Sequence, residues 1–323
     1  MLSLAFTGPA VPPGSATYVH IDLSQVASLV NRRFYRQGLN WAVAGVKVFT
    51  EAGYAGTVGL SKLPNTWVMA NSWEKSMRAW MKMNREALAE TESVRPRFLD
   101  YKIYANQRHH VAGVGANLLP ISSDGTYTPG EWEMSKFVIP DTTLGATGGV
   151  HNREIVATGA SYTGVGASGL DAVSLIEGYA SSRGLPAITD PNAPDDATDV
   201  SGTTPENFLA ALFNEGTSQD TQVLSDLVFE NNQAPYPFEN DGINLDTMYP
   251  GGTNQGSGLE IHDSQNITAT TIGGMVRLKG GNFPCGLLEF KFTNTAEAQQ
   301  VALLIELIPG THRGYLAESM TEM

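Results

Sequence analysis

Val301-Ala-Leu-Leu-Ile-Glu-Leu-Ile308 is the stretch on which the fold turns. It is nearly all apolar over a strand's length, as a strand in the middle of a sheet is. Working back from it, residues 286–293, 275–279 and 266–272 also read as strands. Near the other end, residues 17–23 alternate apolar and polar, 41–50 read as a buried strand, and 55–60, 98–105 and 132–139 follow. Strands therefore occupy both ends of the chain. Residues 141–258 differ: they are rich in Gly, Asp, Pro and Asn, with short helical patches near 171–182, 206–214 and 220–230. They read as long loops and small helices projecting from a sheet scaffold.

No regular alternation of strand and helix runs through the chain, and no internal repeat is present. The pattern favours an antiparallel sandwich over a doubly wound sheet. The expected class is all-β dominated: an antiparallel jelly-roll β-sandwich carrying a long insertion of loops and short helices as a surface projection. Residues 1–145 and 259–323 would form the jelly-roll domain and 146–258 the insertion. The clearest helix spans about 72–90, with Trp73, Met77, Trp80, Met81 and Leu88 on one face. Asn71 is its expected cap, with Glu74 completing a capping-box pattern. Ser24 is the expected cap of a short helix leading into Asn31-Arg32-Arg33.

The bulk composition agrees. Of 323 residues 34 are Gly and only 16% are charged, which disfavours coiled coils, helical arrays and disorder. One cysteine, Cys285, excludes an internal disulfide framework and a cysteine-based zinc site, and reads as a small buried hydrophobe. The chain shows no signal-peptide pattern and no run of 18 apolar residues. Asn266-Ile267-Thr268 matches a glycosylation sequon, a chance match without a secretory signal.

Charge is distributed unevenly. Residues 1–114 carry 13 Lys+Arg against 7 Asp+Glu, and residues 115–323 carry 7 against 26. Arg32, Arg33 and Arg36 flank Phe34 and Tyr35. Lys75, Arg78, Lys82 and Arg85 line the helix off its apolar stripe, and Arg95, Arg97, Lys102 and Arg108 follow. Guanidinium groups interleaved with aromatics grip phosphates and stack on unpaired bases. The seven residues from Arg32 to Arg85 are therefore the candidate nucleic-acid contacts. No Arg-rich tail is present, so binding should be modest and salt-sensitive.

Other motifs carry less. Gly164-Val-Gly166-Ala-Ser-Gly169 matches a dinucleotide fingerprint, with Glu154-Ile-Val-Ala as a strand before it, a helix from Asp171 after it, and Asp190 closing a second strand. Against it, Thr158 to Thr163 separate the strand from the first glycine, and Asp171 would face the phosphates. His109-His110 reads as a polar exposed turn. Asp195, Asp196 and Asp199, with Asp190, are weak Ca²⁺ candidates lacking EF-hand spacing. No G-x-S-x-G, phosphate-loop or kinase pattern occurs.

Three stretches carry a family resemblance. They are Ser174-Leu-Ile-Glu-Gly-Tyr-Ala-Ser-Ser-Arg-Gly-Leu-Pro186 with Asp190-Pro-Asn-Ala-Pro-Asp195; Asn231-Asn-Gln-Ala-Pro-Tyr-Pro-Phe-Glu-Asn-Asp241 with Tyr249-Pro-Gly-Gly252; and the terminal strand running into Pro309-Gly-Thr-His-Arg-Gly-Tyr315. In these the chain resembles the capsid proteins of small circular Rep-encoding single-stranded DNA viruses, of the smacovirus-like kind. The resemblance implies a jelly roll that self-assembles, in about 60 copies or a multiple, into an icosahedral shell around circular single-stranded DNA. It implies a virion location, the chain itself and single-stranded DNA as partners, no membrane, no cofactor and no catalysis. Many relatives carry a basic N-terminal arm; this chain begins Met-Leu-Ser-Leu-Ala-Phe-Thr-Gly-Pro instead. The alternatives are a nucleotide-binding enzyme using the Gly164–Gly169 loop, and a non-viral β-sandwich binding module.

Overall fold

The computed structural model describes residues 2–89, 91–94, 96–140, 150–164, 166–182, 208–213, 222–223, 258–271, 274–295 and 297–323. In chain order the elements begin with β1 (Ser3–Val11), β2 (Ala16–Asp22), α1 (Leu23–Asn31), β3 (Leu39–Thr50), β4 (Gly56–Lys62), α2 (Trp67–Ala87) and α3 (Gln107–Ala112). Then come β5 (Ile121–Ser122), β6 (Gly125–Thr126), β7 (Lys136–Pro140), β8 (Val150–Val156), β9 (Asp171–Ser174), α4 (Leu175–Ser182) and α5 (Leu209–Phe213). The last are β10 (Glu260–Ile267), β11 (Met275–Phe283), β12 (Leu287–Asn294), β13 (Gln299–Leu307) and β14 (Ala317–Ser319).

The chain forms two compact units. The first is Met1–Asn65, Arg97–Met134 and Leu259–Met323; the second is Thr66–Pro96 and Ser135–Gly258. These cuts fall elsewhere than the expected 1–145, 146–258 and 259–323, chiefly because the long helix belongs to the second unit.

In the first unit, one sheet runs β1-β13-β3-β11, with β14 also on β3, and the other runs β10-β4-β12-β2. Every neighbouring pair in both is antiparallel. Leu4, Phe6, Val46, Val48, Leu303 and Ile305 of the first sheet share one buried cluster with Val19, Ile21, Val58, Leu60, Phe290 and Phe292 of the second. Two antiparallel sheets closing on one core make a β-sandwich. β13 lies between β1 and β3. Val301, Leu303, Ile305 and Leu307 turn inward, while Ala302, Leu304 and Glu306 lie on the outer face. Each inward branched side chain contributes roughly 1.5–3 kcal/mol on burial.

Several local readings are corrected. The first strand was not read from the sequence at all. Leu4 and Phe6 alternate with Ser3, Ala5 and Thr7, but Gly8 and Pro9 interrupt the pattern, and the register shifts there between Thr7 and Ala10. Proline in a sheet is confined to an edge or a bulge, and β1 is an edge strand with both. The helix expected over 72–90 begins at Trp67, capped by Thr66, whose Oγ1 accepts from the Met69 N–H at 3.4 Å. Asn71 instead donates to the Tyr179 hydroxyl at 3.3 Å. The cap of α1 is Asp22 and not Ser24. Residues 98–105 are irregular: their backbone is held by a side chain, Gln37, which bonds both the Ile103 N–H at 2.7 Å and its C=O at 3.0 Å.

The second unit has a three-stranded sheet, β7-β8-β9, antiparallel then parallel. Trp80 on α2 donates to the Lys136 C=O at 3.1 Å, and Phe137 packs against Phe208 with ring centres 5.4 Å apart.

Candidate nucleic-acid interface

In the first unit α1 ends in a left-handed residue, Arg32 at φ +54°, which turns the chain sharply so that Arg32, Arg33 and Arg36 stand exposed around Phe34. The chain at 97–102 and the residue Trp132 come to the same place. The Phe34 and Phe98 rings lie 5.3 Å apart, and Phe34 and Trp132 lie 6.3 Å apart. Each ring carries a cation: Arg36 over Phe34 at 5.5 Å, Arg97 over Phe98 at 5.6 Å, and Lys102 over Trp132 at 4.3 Å. Phe98 is 60% exposed. Open rings interleaved with guanidinium groups can stack unpaired bases and neutralise their phosphates.

The platform rests on a buried polar knot. Asp22 Oδ1 accepts the N–H groups of Ser24 at 2.8 Å and Gln25 at 3.2 Å, which caps α1. Asp22 Oδ2 accepts Gln37 Nε2 at 3.1 Å and the Trp132 indole N–H at 3.2 Å. Burial raises the Asp22 carboxyl to about 6 against these four bonds. Arg36 donates to the Leu99 C=O and lies 3.6 Å from Asp100, itself pushed up by burial. Lys102 is pushed down by burial, partly offset by Asp100, Asp22 and Glu133.

A second cluster of bases went unread in the sequence. Lys47 on β3 faces Arg277 on β11 in register, and Lys279 follows two residues on, so all three share the outer face of the first sheet. Glu306 on β13 takes Lys47 at 2.7 Å and Arg277 at 3.5 Å. Arg277 reaches across β3 only because Gly45 has no side chain; a Cβ there would lie 3.1 Å from its Nε. The alternation Met275-Val-Arg-Leu-Lys279 was the available signal for two bases on one strand face.

The remaining candidates lie in the second unit, on α2. Arg78 pairs with Glu74 and Lys82 lies 4.0 Å from Glu86, both one turn apart. Lys75 stands over the Tyr179 ring at 5.6 Å, and Arg85 donates to the Met81 C=O at 3.4 Å. Paired i,i+4 charges of this kind are solvated helix faces worth a few tenths of a kcal/mol each, of order 0.3–0.5. By contrast Arg32 and Arg33 have no acidic partner among the described residues. The charge split of the sequence also folds differently from its linear order. The first unit holds 12 Lys+Arg against 13 Asp+Glu, and the second 8 against 20.

The glycine loop joins β8 to β9, two parallel neighbours, and the helix comes only after β9. The Gly164 N–H donates to Asp171 Oδ1 at 2.6 Å, and a Cβ at Gly164 would run into the Gly169 C=O. Asp171 also pairs with Arg153 at 3.1 Å. The loop is thus folded against its own chain, and Asp171 opens a strand instead of the expected helix. Asp190, Asp195, Asp196 and Asp199 lie outside the described residues. Among the described residues no group of three His, Cys, Asp or Glu could hold a metal, and no helix is long and apolar enough to cross a membrane.

The exposed turn expected at His109-His110 is corrected: both are fully buried, in α3. His109 stacks on His20 with centres 4.6 Å apart and planes within 8°. Its Nδ1 accepts the Ala105 N–H at 3.1 Å and its Nε2 meets Asn117 Oδ1 at 2.8 Å. Asn117 donates in turn to Gln25 Oε1 at 3.0 Å. With Nδ1 accepting, Nε2 must carry the proton. Burial, followed by the charge of His20, holds the His109 imidazole well below its ordinary range. Glu289 receives His20 at 3.0 Å, Asn106 at 2.7 Å and Arg108 at 3.5 Å. These partners outweigh burial and bring its carboxyl below the usual range.

No protein-family model, no curated protein and no solved structure matches this chain.

Proposed function

We propose that this chain is a structural capsid protein that self-assembles into an icosahedral shell enclosing circular single-stranded DNA. In that setting it is a component of a virion and its partners are further copies of itself and the genome.

The observation that carries the reading is the strand order. Number the eight long strands β1, β2, β3, β4, β10, β11, β12 and β13 from first to eighth. One sheet then runs first-eighth-third-sixth and the other fifth-fourth-seventh-second. That interleaving supports reading the sandwich as a jelly roll, two Greek keys wrapped into a double sheet, an architecture used by many viral shells. The long excursion leaves from a single connection, β4 to β10, while β10–β11, β11–β12 and β12–β13 are joined by short turns. The platform of Phe34, Phe98 and Trp132 supplies stacking for unpaired bases, which favours single-stranded over duplex partners.

The test is size. The purified chain, followed by electron microscopy and light scattering across salt and pH, should form closed particles in the megadalton range. A body of 34.6 kDa or a small oligomer under all conditions would overturn the reading.

A further inference from the structure

The four donors on Asp22 do not come from one place. Two are the first amides of α1, the helix whose other end carries Arg32 and Arg33. One is Gln37, next to Arg36, which also pins Ile103 behind Lys102. The fourth is Trp132, an aromatic face of the platform. A single buried carboxylate thus ties together every segment from which the platform is built.

We propose that Asp22 is the positioning residue of the aromatic–cation platform, and that its protonation releases Trp132 and weakens the grip on single-stranded DNA. The inference rests on the nucleic-acid reading of that platform.

The chemistry follows from the partners. Each group bonded to Asp22 is a donor: two backbone N–H, the Gln37 amide and the indole N–H. An ionised carboxylate accepts all four; a protonated one turns one oxygen into a donor that faces donors among its bonded partners. Oδ1 is shared by two amides fixed in the first turn of a helix, whereas Oδ2 is shared by Gln37, itself held by two bonds to Ile103, and by the Trp132 indole, which can swing. The proton therefore settles on Oδ2, and the indole leaves. The charged and titratable groups around the site are Lys102 and Asp100 from the 97–102 segment, Glu133 beside Trp132, and the Cys285 thiol, which burial and these two aspartates push well above its ordinary range. Lys102 favours the ionised form; burial opposes it and places the change near pH 6. Acidification makes the whole chain more positive and by itself would tighten polyanion binding. A loss of affinity on acidification is therefore diagnostic.

The experiment uses the full chain at fixed ionic strength from pH 7.5 to 5.0. Trp132 emission, taken as the difference between wild type and Trp132→Phe, should shift with a midpoint near 6 and stay flat in Asp22→Asn. A fluorescent oligothymidylate should bind about tenfold more weakly at pH 5.0 than at 7.5, the size of one charge-assisted hydrogen bond, and Trp132→Phe should flatten that profile. Wild-type emission that does not titrate overturns the inference, whether or not Asp22→Asn folds. Emission that titrates without oligothymidylate binding at any pH supports the Asp22–Trp132 link and rejects the nucleic-acid reading instead.

Discussion

Lys47 Nζ lies 2.7 Å from Glu306 Oε1, so a base from the first third of the chain is neutralised by an acid on β13, near its other end. The other oxygen of Glu306 faces Arg277 at 3.5 Å. Lys47 and Arg277 are direct cross-strand neighbours, an arrangement of like charges that is unfavourable without an anion between them. Glu306→Gln should therefore destabilise the fold only slightly, because all three groups are solvated and their attraction is screened. It should also raise affinity for a polyanion and steepen its salt dependence. Thermal unfolding and oligonucleotide titration across salt read the two effects separately.

Replacing Arg32 and Arg33 with Ser removes two open cations from the platform. Oligonucleotide affinity should fall about tenfold and the salt slope should flatten by close to two phosphate contacts. Phe98→Ala removes an exposed ring and should cost roughly 1–3 kcal/mol of binding with an unchanged salt slope. The same replacement at Arg78 and Lys82, already paired on α2, should change affinity less than about twofold. Equal losses from both pairs would reject the platform as the principal contact.

His109 sets an acid limit on stability. Its folded pKa lies below its unfolded one, so the unfolded chain takes up the proton first. Stability is present above about pH 6.5 and is lost as pH falls below it. Asp22 contributes with the opposite sign: its raised pKa gives stability present below about 4 and lost as pH rises through about 6. His109→Gln should remove the first trend and leave that of Asp22 in place, so between pH 7 and pH 5 its melting temperature should fall less than that of the wild type.

Gly286 adopts φ +65° in the turn between β11 and β12, and a Cβ there would lie 2.8 Å from Cδ1 of the buried Trp41. Gly286→Ala adds backbone strain to overpacking and should cost about 2–4 kcal/mol in urea unfolding. Gly14, also at positive φ but with no atom within 4 Å of its would-be Cβ, should lose only about 1 kcal/mol on the same change.

Much of the sandwich was legible. Residues 41–50, 55–60, 286–293 and 300–308 fall on β3, β4, β12 and β13 because alternation and apolar runs are local signals. β1 was missed because Gly8 and Pro9 break its alternation, and its strand character comes from pairing with β13. Residues 98–105 have the composition of a strand, yet Gln37 takes the hydrogen bonds a neighbour would have supplied. For the site, Arg32, Arg33, Phe34 and Arg36 could be read as one run. Phe98 and Trp132 could not be joined to them, since they lie 64 and 98 positions beyond Phe34 in the chain.

By itself the sequence determined that strands at both ends of the chain enclose a long polar excursion, and that bases lead while acids follow. Period-two alternation and charge are properties of neighbouring residues, so they can be read in order. Only the tertiary structure decided that Ser3 pairs with Glu306, that the bases of the first third meet acids of the last, and that Asp22 gathers α1, Gln37 and Trp132. Those are contacts across tens to hundreds of residues, selected by the closing of two sheets on one core.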